Sequence, residues 1–124
     1  MKYKNVRTLF VGEKPDAFIA SSGVDHPASF SNAAFPDVKP GEGENILLGE
    51  MTGRENDACA LFAADVTDPD FVSGGADRTL TFKAAPGLRY RTVGNVPVTV
   101  IRTGDTVTIR YPAYGAVLIA AEKD

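Results

Sequence analysis

The second half of the chain alternates between apolar and polar residues. In "TVTIRY", Val107, Ile109 and Tyr111 fall on one phase of a period-two pattern, and Thr106, Thr108 and Arg110 fall on the other. "RTLTFKA" repeats it, with Leu80, Phe82 and Ala84 against Thr79, Thr81 and Lys83. "LRYRTV" sets Leu88 and Tyr90 against Arg89 and Arg91. "PVTVIRTGDTVTIRY" holds two β-branched runs around "TGD", a short Gly-containing connector of the hairpin type. Alternation of this kind predicts antiparallel sheet with one dry and one wet face. Turn signals punctuate the strands: "SGGAD" at 73–77, "APG" at 85–87, "GNVP" at 94–97 and "TGD" at 103–105. Strands recurring every ~8–12 residues belong to a sandwich or barrel.

The first half is patterned more thinly. "NVRTLFVG", "DAFIAS" and "NILLGEM" read as strands. "NDACALFAAD" has the alanines of a helix, but its apolar run is only seven residues and "DPD" and "SGG" follow closely, which favours a buried strand. No segment sustains a 3.6-residue period and no internal repeat is present. The pattern therefore predicts an all-β fold, an antiparallel β-sandwich of about eight or nine strands with Greek-key-like connections. Residues 22–44, "SGVDHPASFSNAAFPDVKPGEGE", stand apart as a long irregular connection with three prolines and three glycines. A connection of that length inside a compact domain points to a function or an interface. Phe30 and Phe35 can pin it to something apolar, either its own sheet or another domain.

Composition narrows the reading. A length of 124 residues is one domain, 1–124. Sixteen acids outnumber thirteen Lys and Arg, for a net charge of -3, which argues against nucleic acid as a partner. Cys59 is alone, so no internal disulfide can form and the redox compartment is left open. No apolar run approaches the ~20 residues of a membrane span. "MKYKNVRTLFVGEK" is basic, but its apolar core is too short for a signal peptide. Either the protein is cytoplasmic, or it is a piece of a longer chain whose parent is secreted or periplasmic.

Candidate chemistry is sparse. His26 is the only histidine, and a triad or zinc site needs further partners. Asp65, Asp68 and Asp70 in "DVTDPD" form an oxygen-rich loop suited to calcium, without the central Gly and closing Glu of an EF-hand loop. Glu42, Glu44 and Glu50 are carboxylates, but a glycosidic pair must face across a cleft, and Glu42 and Glu44 are loop neighbours. No catalytic residue, cofactor or firm metal site is assigned. Arg89, Arg91, Arg102 and Arg110 lie on neighbouring predicted strands with Tyr90, Tyr111 and Tyr114 among them, an arrangement that could hold a glycan. Tyr90 and Tyr111 fall on the apolar phase, however, so core positions suit them better. In "YPAYG", Pro112 marks a strand end, Gly115 permits a turn, and "AVLIAA" follows as a buried final strand. Only Tyr114, at the apex, is expected to meet a ligand or neighbour.

In order along the chain, "ILLGEMTGRENDACALFAADVTD" supplies an opening strand pair with Gly49 and Glu50 at the corner and "TGREN" as the turn. "RTLTFKA" supplies a middle strand and "DTVTIRYPAYGAVLIAAE" the close. Over residues 45–121 this resembles the C-terminal β-sandwich domain that follows the catalytic (β/α)8 barrel in many glycoside hydrolases. The family's "PGdG" turn reads here as Pro112-Ala113-Tyr114-Gly115, and the usual asparagine-bearing end of the second strand reads "FAAD". The resemblance implies a non-catalytic accessory domain, excised from the C-terminus of a multidomain parent. Its partner would be the catalytic barrel domain of that parent, with an exposed apolar patch where the two meet. Residues 22–44, with Phe30 and Phe35, are the expected contact. Two alternatives stand beside it. One is a carbohydrate-binding module using an exposed Tyr/Arg surface, with Tyr114, Arg110, Arg89, Arg91 and His26 as the candidate glycan or interdomain contacts beside Phe30 and Phe35. The other is a freestanding interaction protein. None of these readings involves a membrane.

Overall fold

In a computed structural model, residues 3–12, 23, 26–53, 59–67, 77–94 and 98–123 are described. These form nine strands and, among the described residues, no helix. They are β1 (Tyr3–Val11), β2 (Lys39–Pro40), β3 (Ile46–Gly53), β4 (Cys59–Asp65), β5 (Arg78–Lys83), β6 (Leu88–Val93), β7 (Thr99–Thr103), β8 (Thr106–Tyr111) and β9 (Ala116–Lys123). Every pairing is antiparallel. One sheet has five strands in the order β1-β3-β4-β9-β6, and the other has four in the order β2-β5-β8-β7. The chain passes repeatedly from one sheet to the other, so an all-β antiparallel sandwich is what the alternation predicted.

"NDACALFAAD" resolves to a strand, β4, with Leu61 and Ala63 buried. The "TGD" connector closes the β7–β8 hairpin, and Gly104 takes φ +62°, the conformation required at the first centre of such a turn. "DAFIAS", most of "SGGAD", the "NVP" of "GNVP" and the "REN" of "TGREN" lie outside the described residues.

Ile46, Leu48, Leu61 and Ile119 from one sheet meet Leu80, Phe82, Val107, Ile109 and Tyr111 from the other in the core. Phe35 joins them edge-on to Phe82 and tilted to Tyr90, with centroids 5.2 and 5.4 Å away. The irregular segment therefore folds onto its own sandwich. Phe30 and Val38 exchange backbone bonds (2.8 and 2.6 Å), and Asn32 Oδ1 accepts the Phe35 N–H (2.7 Å). Glu50 ties the segment to the sheet, accepting from Asn32 (2.8 Å) and from Arg7 (3.0 Å), whose guanidinium lies over the Phe30 ring. This corrects the assignment of Phe30 and Phe35 as interdomain or glycan contacts. At 4% and 0% exposure, both are consumed by the domain's own core.

Candidate functional site

The two outer faces of the sandwich differ. On the four-stranded sheet, Thr79, Thr81, Thr106, Thr108 and Arg110 fall on the phase away from the core, which makes the wet face the alternation calls for. The five-stranded sheet departs from that rule. Its central strands β3, β4 and β9 carry apolar residues on both phases. Following the register, Phe10, Leu47, Ala64 and Ala116 form one row across the outer face. Gly49, Phe62, Leu118 and Val93 form the next, and Met51, Ala60, Ala120 and Arg91 a third. Leu47, Met51, Phe62 and Leu118 are half-buried, and Val93 is 37% exposed. An antiparallel sheet with one face packed on the core commonly turns polar residues outward, and these three strands do not. The face is bordered by Asn5 and Thr8 of β1, hydrogen-bonded to each other at 3.2 Å, on one side, and on the other by Arg89 and Arg91, both paired with Glu122. The bond from Arg91 leads in holding that surface carboxyl below the usual range.

At one end of the sandwich sits a buried polar node. Asp65 ends β4 on the inward phase, and Arg78 opens β5 on the inward phase. Their side chains pair at 2.8 Å with 0% and 1% exposure. The Thr67 hydroxyl donates to Asp65 Oδ1 and accepts from the Asn45 N–H (3.0 Å), while the Thr67 N–H also donates to Oδ1 (3.0 Å). The Tyr114 N–H donates to Oδ2 (2.7 Å), and its ring lies over the Arg78 guanidinium at 5.6 Å. Burial alone would push Asp65 up. The bonds from Thr67, Tyr114 and Arg78 outweigh it and hold the carboxyl below its ordinary value. Beside the node, Glu44 Oε1 accepts the Thr79 N–H (3.0 Å), and burial lifts its pKa despite that bond. Glu44 also lines a recess of about 300 Å³ with Lys39, Pro40, Gly41, Glu42, Gly43 and Ala28.

The node explains "YPAYG". Tyr114, not Gly115, takes the left-handed conformation, with φ +60°. Asp65 holds it there by its backbone N–H. Gly115 is needed for close approach instead, because a Cβ would stand 2.9 Å from the Pro112 carbonyl. Tyr111 is buried as expected, and its hydroxyl finds no hydrogen-bond partner among the described residues. Tyr111→Phe is therefore expected to raise stability by about 1 kcal/mol by removing an unsatisfied buried group, measured as a higher urea midpoint.

The remaining candidates disperse. Arg89 and Arg91 lie on the outer face of one sheet and Arg110 on the outer face of the other, because the β6–β7 connection crosses between sheets. The Arg/Tyr platform is therefore divided. Tyr90 is a core bridge, donating to the Ala34 carbonyl (2.6 Å) and accepting the Ala85 N–H (2.9 Å). Tyr114 is 56% exposed and His26 is exposed. Asp65 is taken up by Arg78, whereas Asp68 and Asp70 lie outside the described residues. Among the described residues, no group of three His, Cys, Asp or Glu is placed to hold a metal ion. Two features escaped the sequence reading: Arg78 as the partner of Asp65, and the apolar outer face. Both were signalled, the first by matching inward phases at adjoining strand ends, the second by the missing polar phase in β3, β4 and β9.

No protein-family model, curated protein or solved structure matches the chain.

Proposed function

We propose that the chain is a non-catalytic accessory β-sandwich that docks through the outer face of its five-stranded sheet onto the catalytic barrel domain of a glycoside hydrolase. The apolar face carries this reading. A sheet apolar on both sides calls for a third layer, and helices are one of the two layers that fit it. The outer ring of a (β/α)8 barrel consists of such helices, and the resemblance over residues 45–121 names that neighbour. Interfaces between domains of one chain bury roughly 600–1,500 Å², which a five-stranded face can supply.

The test uses the parent protein read from the full reading frame. Phe62→Glu and Leu118→Glu replace half-buried residues of the outer face, so each is expected to cost the isolated chain about 0.5–3 kcal/mol, a loss measured first on the chain alone. In the parent, each is expected to uncouple the two domains, giving separate thermal transitions and a lower melting temperature for the catalytic domain. A reading frame with no barrel, or domains that melt together with both substitutions in place, would overturn the proposal.

A further inference from the structure

We propose that β7 is a dimerisation edge, through which two copies of this chain join their four-stranded sheets into one continuous sheet across a two-fold axis. A sheet edge presents unpaired N–H and C=O groups, and proteins guard such edges with charge, proline, bulges or brevity. Among the described strands, three of the four sheet edges are guarded. A register shift between Asn5 and Arg7 breaks β1, which also carries Lys4. Strand β2 has only two residues, Lys39 and Pro40. Strand β6 carries Arg89 and Arg91. Strand β7 has no proline and no break in its register, and it carries one charge where β6 carries two. Its register with β8 is unbroken from Thr99 to Thr103, all five residues are exposed, and Val100 and Ile101 are 40% and 46% exposed. Its single charge, on Arg102, is turned aside toward the Leu88 carbonyl.

The occupant follows from the register. Gly104 and Asp105 form a two-residue loop, so Thr103 and Thr106 are a hydrogen-bonded pair. Alternation then makes Ile101 and Thr99 bond inward to β8, while Val100 and Arg102 direct their N–H and C=O groups outward. A second β7, antiparallel about Ile101, places Val100 opposite Arg102 of the other copy. The two outward-facing pairs then exchange four backbone hydrogen bonds. The same register sets Ile101 against its own copy and Thr99 against Thr103. No like charges stand directly opposite, and apolar and Thr–Thr pairs are favourable cross-strand neighbours. The segment "TVIRT" is thus complementary to itself, as a two-fold interface requires. This dimer leaves the apolar outer face of the five-stranded sheet uncovered and does not depend on the docking proposed for it.

Analytical ultracentrifugation across a concentration series tests the edge. The wild-type chain is expected to form a dimer, and Ile101→Lys to weaken it at least tenfold by placing two ammonium groups together at the axis. Val100→Pro removes an outward N–H that β8 does not use, so it should keep the fold and weaken the dimer likewise. Leu118→Glu should leave the dimer intact. Ile101→Cys in a Cys59→Ser background should form an inter-chain disulfide, because non-hydrogen-bonded pairs sit about 4.5 Å apart at Cα, within disulfide reach. A chain that stays monomeric throughout overturns the proposal. So does a dimer that survives both β7 substitutions and dissociates with Leu118→Glu.

Discussion

Asp65→Ala is expected to lower folding stability by about 3–5 kcal/mol, the cost of leaving one member of a buried ion pair without the other. The two side chains are 0% and 1% exposed, so water does not repair the loss. The substitution leaves the Arg78 guanidinium in the core without its 2.8 Å partner, and the Tyr114 and Thr67 N–H groups lose their acceptor together. Arg78→Met should cost a comparable amount by leaving the Asp65 carboxylate uncompensated. Combining Asp65→Leu with Arg78→Met removes both charges, so the double variant should lose less than either single one. The residual loss belongs to Thr67 and Tyr114. Urea midpoints at neutral pH decide the matter. A single substitution costing under about 1 kcal/mol would show that the pair does not anchor this end of the sandwich.

The same node sets a pH dependence. The folded state holds the Asp65 carboxyl below its ordinary 3.8. Its contribution to stability is therefore present above that value and lost as pH falls through the folded pKa. Glu44 has the opposite sign. Its pKa is raised from 4.5 by burial, so its contribution is full below 4.5 and falls away as pH rises through the folded value. In Asp65→Asn the acid limb of the stability curve should flatten, and the decline contributed by Glu44 at higher pH should shrink without vanishing, because burial is the first cause of its raised pKa and the Asp65 charge a lesser one. Glu122 adds to the acid limb from the surface, where salt screens its pairing with Arg91, so high salt isolates the part due to Asp65.

The architecture was legible wherever one phase of a strand was polar. Val107, Ile109 and Tyr111 had to face inward because Thr106, Thr108 and Arg110 could not, and the register of β8 with β5 follows from that choice. Where both phases were apolar, the pattern named a strand without saying which side was the core. The outer positions of Leu47, Phe62 and Leu118 appear only once Leu48, Leu61 and Ile119 are seen to face the second sheet. Chain order misled at the arginines. Strands β6 and β7 are consecutive, but β6 pairs with β9 and β7 with β8, so Arg91 and Arg110 part company. The polar node mixes both cases. Asp65 invited a calcium reading because its loop is rich in acids, while Arg78, thirteen residues later, carried the matching inward phase.

Phe35→Ala is expected to cost the isolated chain about 3–5 kcal/mol, the range for deleting a fully buried aromatic ring. The ring is 0% exposed and sits between Phe82 and Tyr90, which are themselves 4.8 Å apart edge-on. Removing it opens a cavity against two aromatic neighbours and deprives the 26–44 segment of its deepest anchor. The Asn32 bond to the Phe35 N–H should weaken with it, and so should the contact from Tyr90 to the Ala34 carbonyl. The measurement separates two roles for the segment. A residue held in reserve for a partner domain would be nearly neutral in the isolated chain and costly only in the parent. A core residue is costly in both, and the urea midpoint of the chain alone should fall while the slope of the transition stays constant. Phe30→Ala should follow with a smaller loss, since its ring lies nearer the rim beneath Arg7 and the cavity left there opens toward water.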